Sequence, residues 1–164
     1  MATSPKPSIL LFDNGSLRPE PTRYLRRIAE HLASRLHHPV IATSLLHSDR
    51  VDPANLEGRR AVLIEPELKR QSSEGQTHFV LLPFFIGPSA ALTDYLPRRL
   101  EPLRDPCPTM RVSIADSLAR LRPRPDLRLA DMLRDRVTGM LTEPDRGRPQ
   151  VIVVDHGSPV REVA

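Results

Sequence analysis

The stretch Ile9-Leu10-Leu11-Phe12-Asp13-Asn14-Gly15-Ser16 decides the fold, and the rest of the chain is organised around it. Four apolar residues end in a small polar turn that contains a glycine, and a segment with helical periodicity follows. This order is typical of the carboxyl end of a buried parallel strand. Because open α/β sheets bind their ligands at that edge, the turn is the first candidate for a functional site.

The same order of elements recurs along the chain. The patterns predict strands at 9–12, 40–46, 79–85 and 110–115, and helices at 19–36, 56–73, 91–103 and 127–141. Pro66 is expected to kink the second helix, and Pro83 to end the regular pairing of the third strand. Alternating strands and helices predict an α/β fold with three layers, α/β/α, around a four-stranded parallel sheet with flavodoxin-like topology.

A second copy of the opening phrase lies near the other end, Val151-Ile152-Val153-Val154-Asp155-His156-Gly157-Ser158. It predicts a trailing fifth strand, which would open a second, truncated lobe at 151–164. A linker at 144–150 would join it to the first lobe at 8–143. The simpler alternative is that two buried strands ending in Gly-Ser look alike. A strand without a covering helix must pair with an edge of its own sheet, swap into another copy or hang exposed as an aggregation risk, and pairing or association is expected.

Composition narrows the class of protein. The 164 residues are 39% apolar and 27% charged, as in one soluble globular domain. The net charge of +4 is spread along helices and aromatic residues make up 4%, so nucleic acid is not an expected partner. Neither a membrane span nor a signal peptide is apparent, so no membrane partner is expected. The single cysteine, Cys107, suits a reducing compartment, and a cytoplasmic location is expected.

Three signatures make the chain similar to the class II chelatases, the family of the sirohydrochlorin cobaltochelatases and ferrochelatases. They are the apolar strand followed by Asp-His-Gly-Ser, the segment from Leu82 to Gly87 followed by Asp94-Tyr95-Leu96-Pro97, and the strand and helix between Ile114 and Val137. The resemblance implies a lyase that inserts Co²⁺ or Fe²⁺ into a tetrapyrrole such as sirohydrochlorin, in cobalamin or sirohaem biosynthesis. The divalent metal would be a substrate, and no organic cofactor is expected.

The resemblance also implies a site. The family's two metal-contacting histidines would fall on Asn14 and Ala90, so both are missing from the first lobe, and His156 remains as the catalytic and metal-binding candidate. A neutral imidazole binds first-row ions and accepts protons near neutral pH, whereas the amide of Asn14 is a poor ligand and no base, and the methyl group of Ala90 does neither. The residues expected to bind the substrate are Asn14, Gly15, Ser16, Arg18, Gly87, Ser89, Ala90 and Asp94.

Other residues near the strand ends have two interpretations each. Arg18, Arg98 and Arg99 are candidates for the substrate's carboxylates, or are ordinary solvated helix charges. His47 ends the second strand on the carboxyl side and is a candidate for the cleft.

The turn after the first strand carries its own expectations. Asp13 is expected to hold the turn rather than to bind metal, and Gly15 to allow a close approach of two backbones. Ser16 is expected to cap the following helix, with anion binding as the alternative.

Three functions remain open from the sequence. The first is a chelatase-like enzyme whose first lobe is weak or inactive alone and works with a missing second lobe or as a homodimer. The second is a non-catalytic module of the same fold that binds a tetrapyrrole or another anion. The third is an unrelated flavodoxin-like domain, because a fold does not fix a function.

Overall fold

The computed structural model describes residues 6–103, 105–106, 108–119, 124–141 and 150–154. The chain divides into two compact units, residues 1–118 and residues 119–164. The first unit contains the sheet, and the described residues of the second contain one helix. The lobe and linker boundaries expected at 143 and 150 stay predictions.

A parallel sheet of four strands forms the centre of the first unit. The strands are β1 (Ser8–Asp13), β2 (Val40–Ser44), β3 (His78–Pro83) and β4 (Arg111–Ile114). Their order is β2-β1-β3-β4, and each neighbouring pair is parallel. The predicted four-stranded parallel sheet is therefore confirmed. The apolar runs at 9–12 and 79–82 form the two central strands, where both faces are covered.

The helices are α1 (Pro19–Leu36), α2 (Ile64–Ser73) and α3 (Leu96–Leu100) in the first unit and α4 (Arg128–Met140) in the second. A wide helical turn at Ala91–Tyr95 precedes α3 and a tight one at Glu101–Leu103 follows it, so the predicted helix at 91–103 is confirmed. Among the residues that the structure describes, no helix is both long and apolar enough to cross a membrane.

Apolar side chains cover both faces of the sheet. Leu10 and Phe12 of β1 belong to a core that includes residues of α2 and α3, among them Leu68 and Leu96. Leu11, which alternates with them, belongs to a second core with Leu25 and Ala29 of α1. Successive side chains of a strand point to opposite faces. The three layers predicted from the sequence are therefore present within the first unit.

The helix predicted at 56–73 is wrong at its amino end. Pro53–Leu56 is a separate tight turn, and α2 begins only at Ile64. Between them, the carbonyl of Val62 accepts the backbone N–H of Ser44 at 2.9 Å, which extends the edge of β2. Pro66 consequently lies in the first turn of α2, where a backbone N–H has no helical partner, and it does not kink the helix.

Arg26 of α1 shows why the intervening segment is not helical. Its guanidinium donates to the backbone carbonyls of Leu56, Arg59 and Arg60 at 3.0, 2.9 and 2.8 Å. A helix through this segment would need these carbonyls for its own backbone bonds. Burial, and then the nearby charge of Arg59, lower the pKa of Arg26. The segment is therefore fixed by a contact with α1 that is distant in sequence.

The trailing fifth strand is not formed. Residues 151–154 adopt no regular secondary structure, and their side chains are 54% to 85% exposed. An apolar pattern alone does not make a strand, because the backbone groups need a neighbouring strand to pair with. Of the outcomes considered for this segment, the structure has the exposed one.

Candidate functional site

The turn after β1 and the segment after β3 begin side by side at the carboxyl edge of the sheet. Phe12 lies opposite Pro83 in the register, and the backbone N–H of Phe84 donates to the carbonyl of Phe12 at 2.7 Å. Regular pairing ends at Pro83, as predicted. The segments that carry Asn14 and Ala90 therefore both begin at the ends of neighbouring strands.

A loop after β2 holds the turn after β1. The backbone N–H groups of Leu45 and Leu46 donate to the carbonyls of Asp13 and Asn14 at 2.9 and 3.2 Å. Gly15 has a φ of +91°, and a Cβ atom on it would lie 1.7 Å from the carbonyl oxygen of Leu46. The expected close approach at Gly15 is confirmed, and the backbone it approaches is that of Leu46.

Asp13 is partly buried where β1 ends. Burial raises the pKa of its carboxyl group, while hydrogen bonds from the Ser44 hydroxyl and the Gly15 backbone act in the opposite direction. Within the described part of the chain, its Oδ1 atom is buried and accepts no hydrogen bond. The hydrogen bonds to Ser44 and Gly15 support the expectation that Asp13 holds the turn.

We expect Asp13→Asn to flatten the dependence of stability on pH. A pKa raised above its ordinary value of 3.8 means that the folded state binds the proton more tightly than the unfolded state. The free energy of unfolding therefore falls as the pH rises through the folded-state pKa. The asparagine of the variant does not titrate, so this part of the pH dependence is absent from it. Urea unfolding between about pH 4 and pH 7 tests this linkage. Parallel profiles for Asp13→Asn and the wild type would contradict it, and the exposed Asp49→Asn is the control.

Three of the expected substrate-binding residues flank Gly15. Asn14 and Arg18 are exposed at the edge. The hydroxyl of Ser16 accepts the backbone N–H of Arg18 at 3.0 Å, immediately before α1 begins. The expectation that Ser16 caps the helix is wrong, because Arg18 occupies the N-cap position of α1 and no side chain caps it. Asn14 and Arg18 are exposed polar groups of this turn.

The segment after β3 places the other expected residues. The hydroxyl of Ser89 accepts the N–H of Ala91 at 3.1 Å, so Ser89 caps the helical segment that follows. Ala90 is half-buried. A Cβ atom added to Gly87 would meet no heavy atom within 4 Å beyond those of its chain neighbours. Close approach therefore requires a glycine at 15 but not at 87.

Asp94 and the two arginines of α3 form ion pairs. Asp94 pairs with Arg98 at 2.8 Å, one helical turn away. Arg99 pairs with Glu65 of α2 and lies 6.0 Å from the ring centre of Tyr95. These contacts support the structural interpretation of Arg98 and Arg99 over carboxylate binding.

Apolar side chains at the same edge were not predicted. Leu17 and Ile86 are each 64% exposed, Leu118 is 53% exposed and Phe84 is 39% exposed. The backbone N–H of Leu118 donates to the carbonyl of Phe85 at 2.8 Å, which joins the segments after β3 and β4. The sequence signal was an apolar residue inside each turn at a strand end, where polar residues are usual.

Metal ligands are scarce in the described ranges. They contain no group of three or more His, Cys, Asp or Glu side chains able to hold an ion. His47 is exposed beside the carboxyl edge, whereas His31 and His37 are exposed on α1 and at its end. His156 lies outside the described residues, so its role as catalyst and metal ligand stays a prediction.

A hollow shared by Asn14, Gly87 and Ala90 also stays a prediction. Cavities of about 340, 460 and 390 Å³ lie against the outer face of α1, at the end of α2 and between α3 and β4. None of these three is lined by Asn14, Gly87 or Ala90. The candidate site therefore rests on the topology of the edge and not on a cavity.

Two solved structures resemble this chain. One is a cobalamin (vitamin B12) biosynthesis CbiX protein from Marinobacter aquaeolei VT8, with a TM-score of 0.58 and 16% identity over 87% of this chain and 100% of that one. The other is SirB from Bacillus subtilis with Fe³⁺, with a TM-score of 0.63 and 16% identity over 88% of this chain and 48% of that one.

These similarities concern the fold. At 16% identity, they confirm that this chain has the fold of these two proteins. The chain spans the whole length of the CbiX protein and about half of the SirB chain. No protein-family model and no curated protein sequence matches it.

Proposed function

We propose that this chain is a chelatase-like lobe that forms one wall of a tetrapyrrole cleft, in a cytoplasmic lyase that inserts Co²⁺ or Fe²⁺ into a sirohydrochlorin-like macrocycle. The observation that carries the proposal is the adjacency of the turn after β1 and the segment after β3. These are the two segments that the chelatase resemblance assigns to the site. The fold shared with CbiX and SirB supports the proposal independently.

The carboxyl edge suits the two kinds of surface on such a macrocycle. The flat faces of the ring are apolar, and the exposed side chains of Leu17, Phe84 and Ile86 offer apolar contacts. Carboxylates surround the ring, and the exposed Asn14 and Arg18 supply hydrogen-bond donors for them. The edge therefore supplies groups for binding the substrate before any metal chemistry is considered.

Metal insertion needs groups that positions 14 and 90 of this lobe lack. The pyrrole nitrogens must lose two protons and the ion must shed water, which neutral imidazoles favour by accepting protons and binding the ion. The amide of Asn14 is a poor ligand for these ions and accepts no proton near neutral pH, and the methyl group of Ala90 neither binds the ion nor accepts a proton. We propose that a second lobe carrying His156, or a second copy of this chain in a dimer, brings the remaining groups. The length of SirB, about twice that of the matching part, supports a two-lobe arrangement.

A non-catalytic module is the second candidate. The observation that favours it is the absence of a three-ligand metal group from the described residues. Such a module binds the tetrapyrrole at the same edge and leaves the metal to another protein. Its affinity for sirohydrochlorin is then independent of Co²⁺.

Calorimetry and absorption spectroscopy test both candidates. We expect sirohydrochlorin to bind to the chain, and Co²⁺ insertion to stay within about twofold of the uncatalysed rate. Arg18→Gln should weaken binding about tenfold, or about 1.4 kcal/mol, while Arg35→Gln at the other end of α1 should not change it. No detectable binding would overturn both candidates. Co²⁺ insertion at a rate comparable to that of a related chelatase with two metal histidines would contradict the proposal that this lobe alone inserts metal slowly, if at all.

A further inference from the structure

His47 lies in a loop that is fixed against the turn after β1. The neighbouring residue, Leu46, donates its backbone N–H to the carbonyl of Asn14 at 3.2 Å. The carbonyl of Leu46 is also the atom that Gly15 approaches most closely. His47 therefore directly follows a residue that is hydrogen-bonded to Asn14, and the side chains of His47 and Asn14 are both exposed.

The conformation of this loop is costly for folding. His47 has a φ of +66° and a ψ of −31°, a positive-φ conformation outside the left-handed helical region that few non-glycine residues adopt. The next residue, Ser48, is fully buried, and its hydroxyl has no hydrogen-bond partner within the described part of the chain. Strained backbones and unsatisfied buried polar groups concentrate at functional sites, where binding requires them.

We infer that the imidazole of His47, together with the side-chain oxygen of Asn14, receives the divalent ion at this edge and so replaces the imidazole missing from position 14. The inference rests on the proposed function for the identity of the ion. The imidazole nitrogen is a good ligand of first-row divalent ions, and the amide oxygen is a weak second one. Two protein ligands leave most coordination positions open, so the ion is held weakly and is released readily.

The test uses Co²⁺ alone on the full chain. Paramagnetic broadening of the histidine ring signals in NMR spectra reports binding at each imidazole separately. We expect His47 to broaden at a Co²⁺ concentration about tenfold below that needed for His31, which lies on the exposed face of α1. Asn14→Asp should lower the concentration for His47 about tenfold further, since a carboxylate binds the ion better than an amide.

His47→Asn separates a ligand from a structural residue. Asparagine, like histidine, is enriched among non-glycine residues with a positive φ, so we expect this variant to keep the loop and remove the imidazole. In the Asn14→Asp background, His47→Asn should abolish the gain in Co²⁺ affinity, and His31→Asn should leave it unchanged. Equal broadening of His47 and His31, or no gain from Asn14→Asp, would overturn the inference. Because no tetrapyrrole is present, failure of tetrapyrrole binding overturns the proposed function and leaves this result standing.

Discussion

Replacing Asn14 and Ala90 together by histidine is expected to give this chain a Co²⁺ insertion activity on the order of a hundredfold above the wild type, the lower range for an added general base. The two positions follow adjacent strands, β1 and β3, whose ends are joined by the bond between Phe84 and Phe12. Two imidazoles there would hold the ion with open positions and accept the pyrrole protons. Absorption spectra of sirohydrochlorin with Co²⁺ measure the initial rate.

The matched control places a histidine pair elsewhere. Arg27→His puts an imidazole four residues before His31 on the exposed face of α1, a spacing that brings two side chains together on a helix. This variant should bind Co²⁺ without inserting it. The single variants Asn14→His and Ala90→His should each recover less than the pair. A double variant that binds Co²⁺ and sirohydrochlorin yet stays at the wild-type rate would contradict the proposed site.

The elements whose limits are set by local sequence could be predicted. α1 has the expected bounds because Pro19 and Pro21 suit its first turn, and the chain turns left-handed at His37 before Pro39. Pro83 ends the pairing of β3 because its ring removes the backbone donor that a central strand needs. In each case, the deciding group lies within a few residues of the boundary.

The segment from 56 to 63 could not be predicted because its partners are distant in sequence. Its carbonyls bind Arg26, about thirty residues earlier, and Val62 bonds to Ser44 at the edge of β2. Periodicity records which face of an element is apolar, but not which backbone groups a distant side chain will engage. The exposure of residues 151–154 could not be predicted either, because an apolar run does not show whether a strand is available to pair with it.

The candidate site also has features that the sequence predicts and features that depend on distant contacts. Its place at the carboxyl edge, and the role of Gly15, followed from an apolar run that ended in a glycine turn. The exposed apolar residues at that edge, and the hydrogen bond from Leu46, next to His47, to Asn14, depend on how the loops after β2 and β3 return to β1. A single sequence shows which residues are available at the edge, but the loops determine which of them meet.

Replacement of Gly15 by alanine is expected to destabilise the fold by about 3 kcal/mol, the sum of left-handed backbone strain and an overpacked contact. The backbone has a φ of +91°, and the added Cβ would lie 1.7 Å from the carbonyl oxygen of Leu46. That oxygen belongs to a backbone held by hydrogen bonds to Asp13 and Asn14, so it cannot move without breaking the link between the turn after β1 and the loop after β2.

Gly58→Ala separates the two causes. Gly58 has a φ of +75°, but no atom lies within 4 Å of the place where its Cβ would stand. This variant therefore carries the strain without the collision, and we expect it to cost about 1 kcal/mol. Urea unfolding of both variants measures the difference. Because the collision acts at the candidate site, Gly15→Ala should also weaken sirohydrochlorin binding in the folded protein, whereas Gly58→Ala should not. Equal losses of stability would mean that the contact with Leu46 contributes nothing beyond the conformation of the glycine.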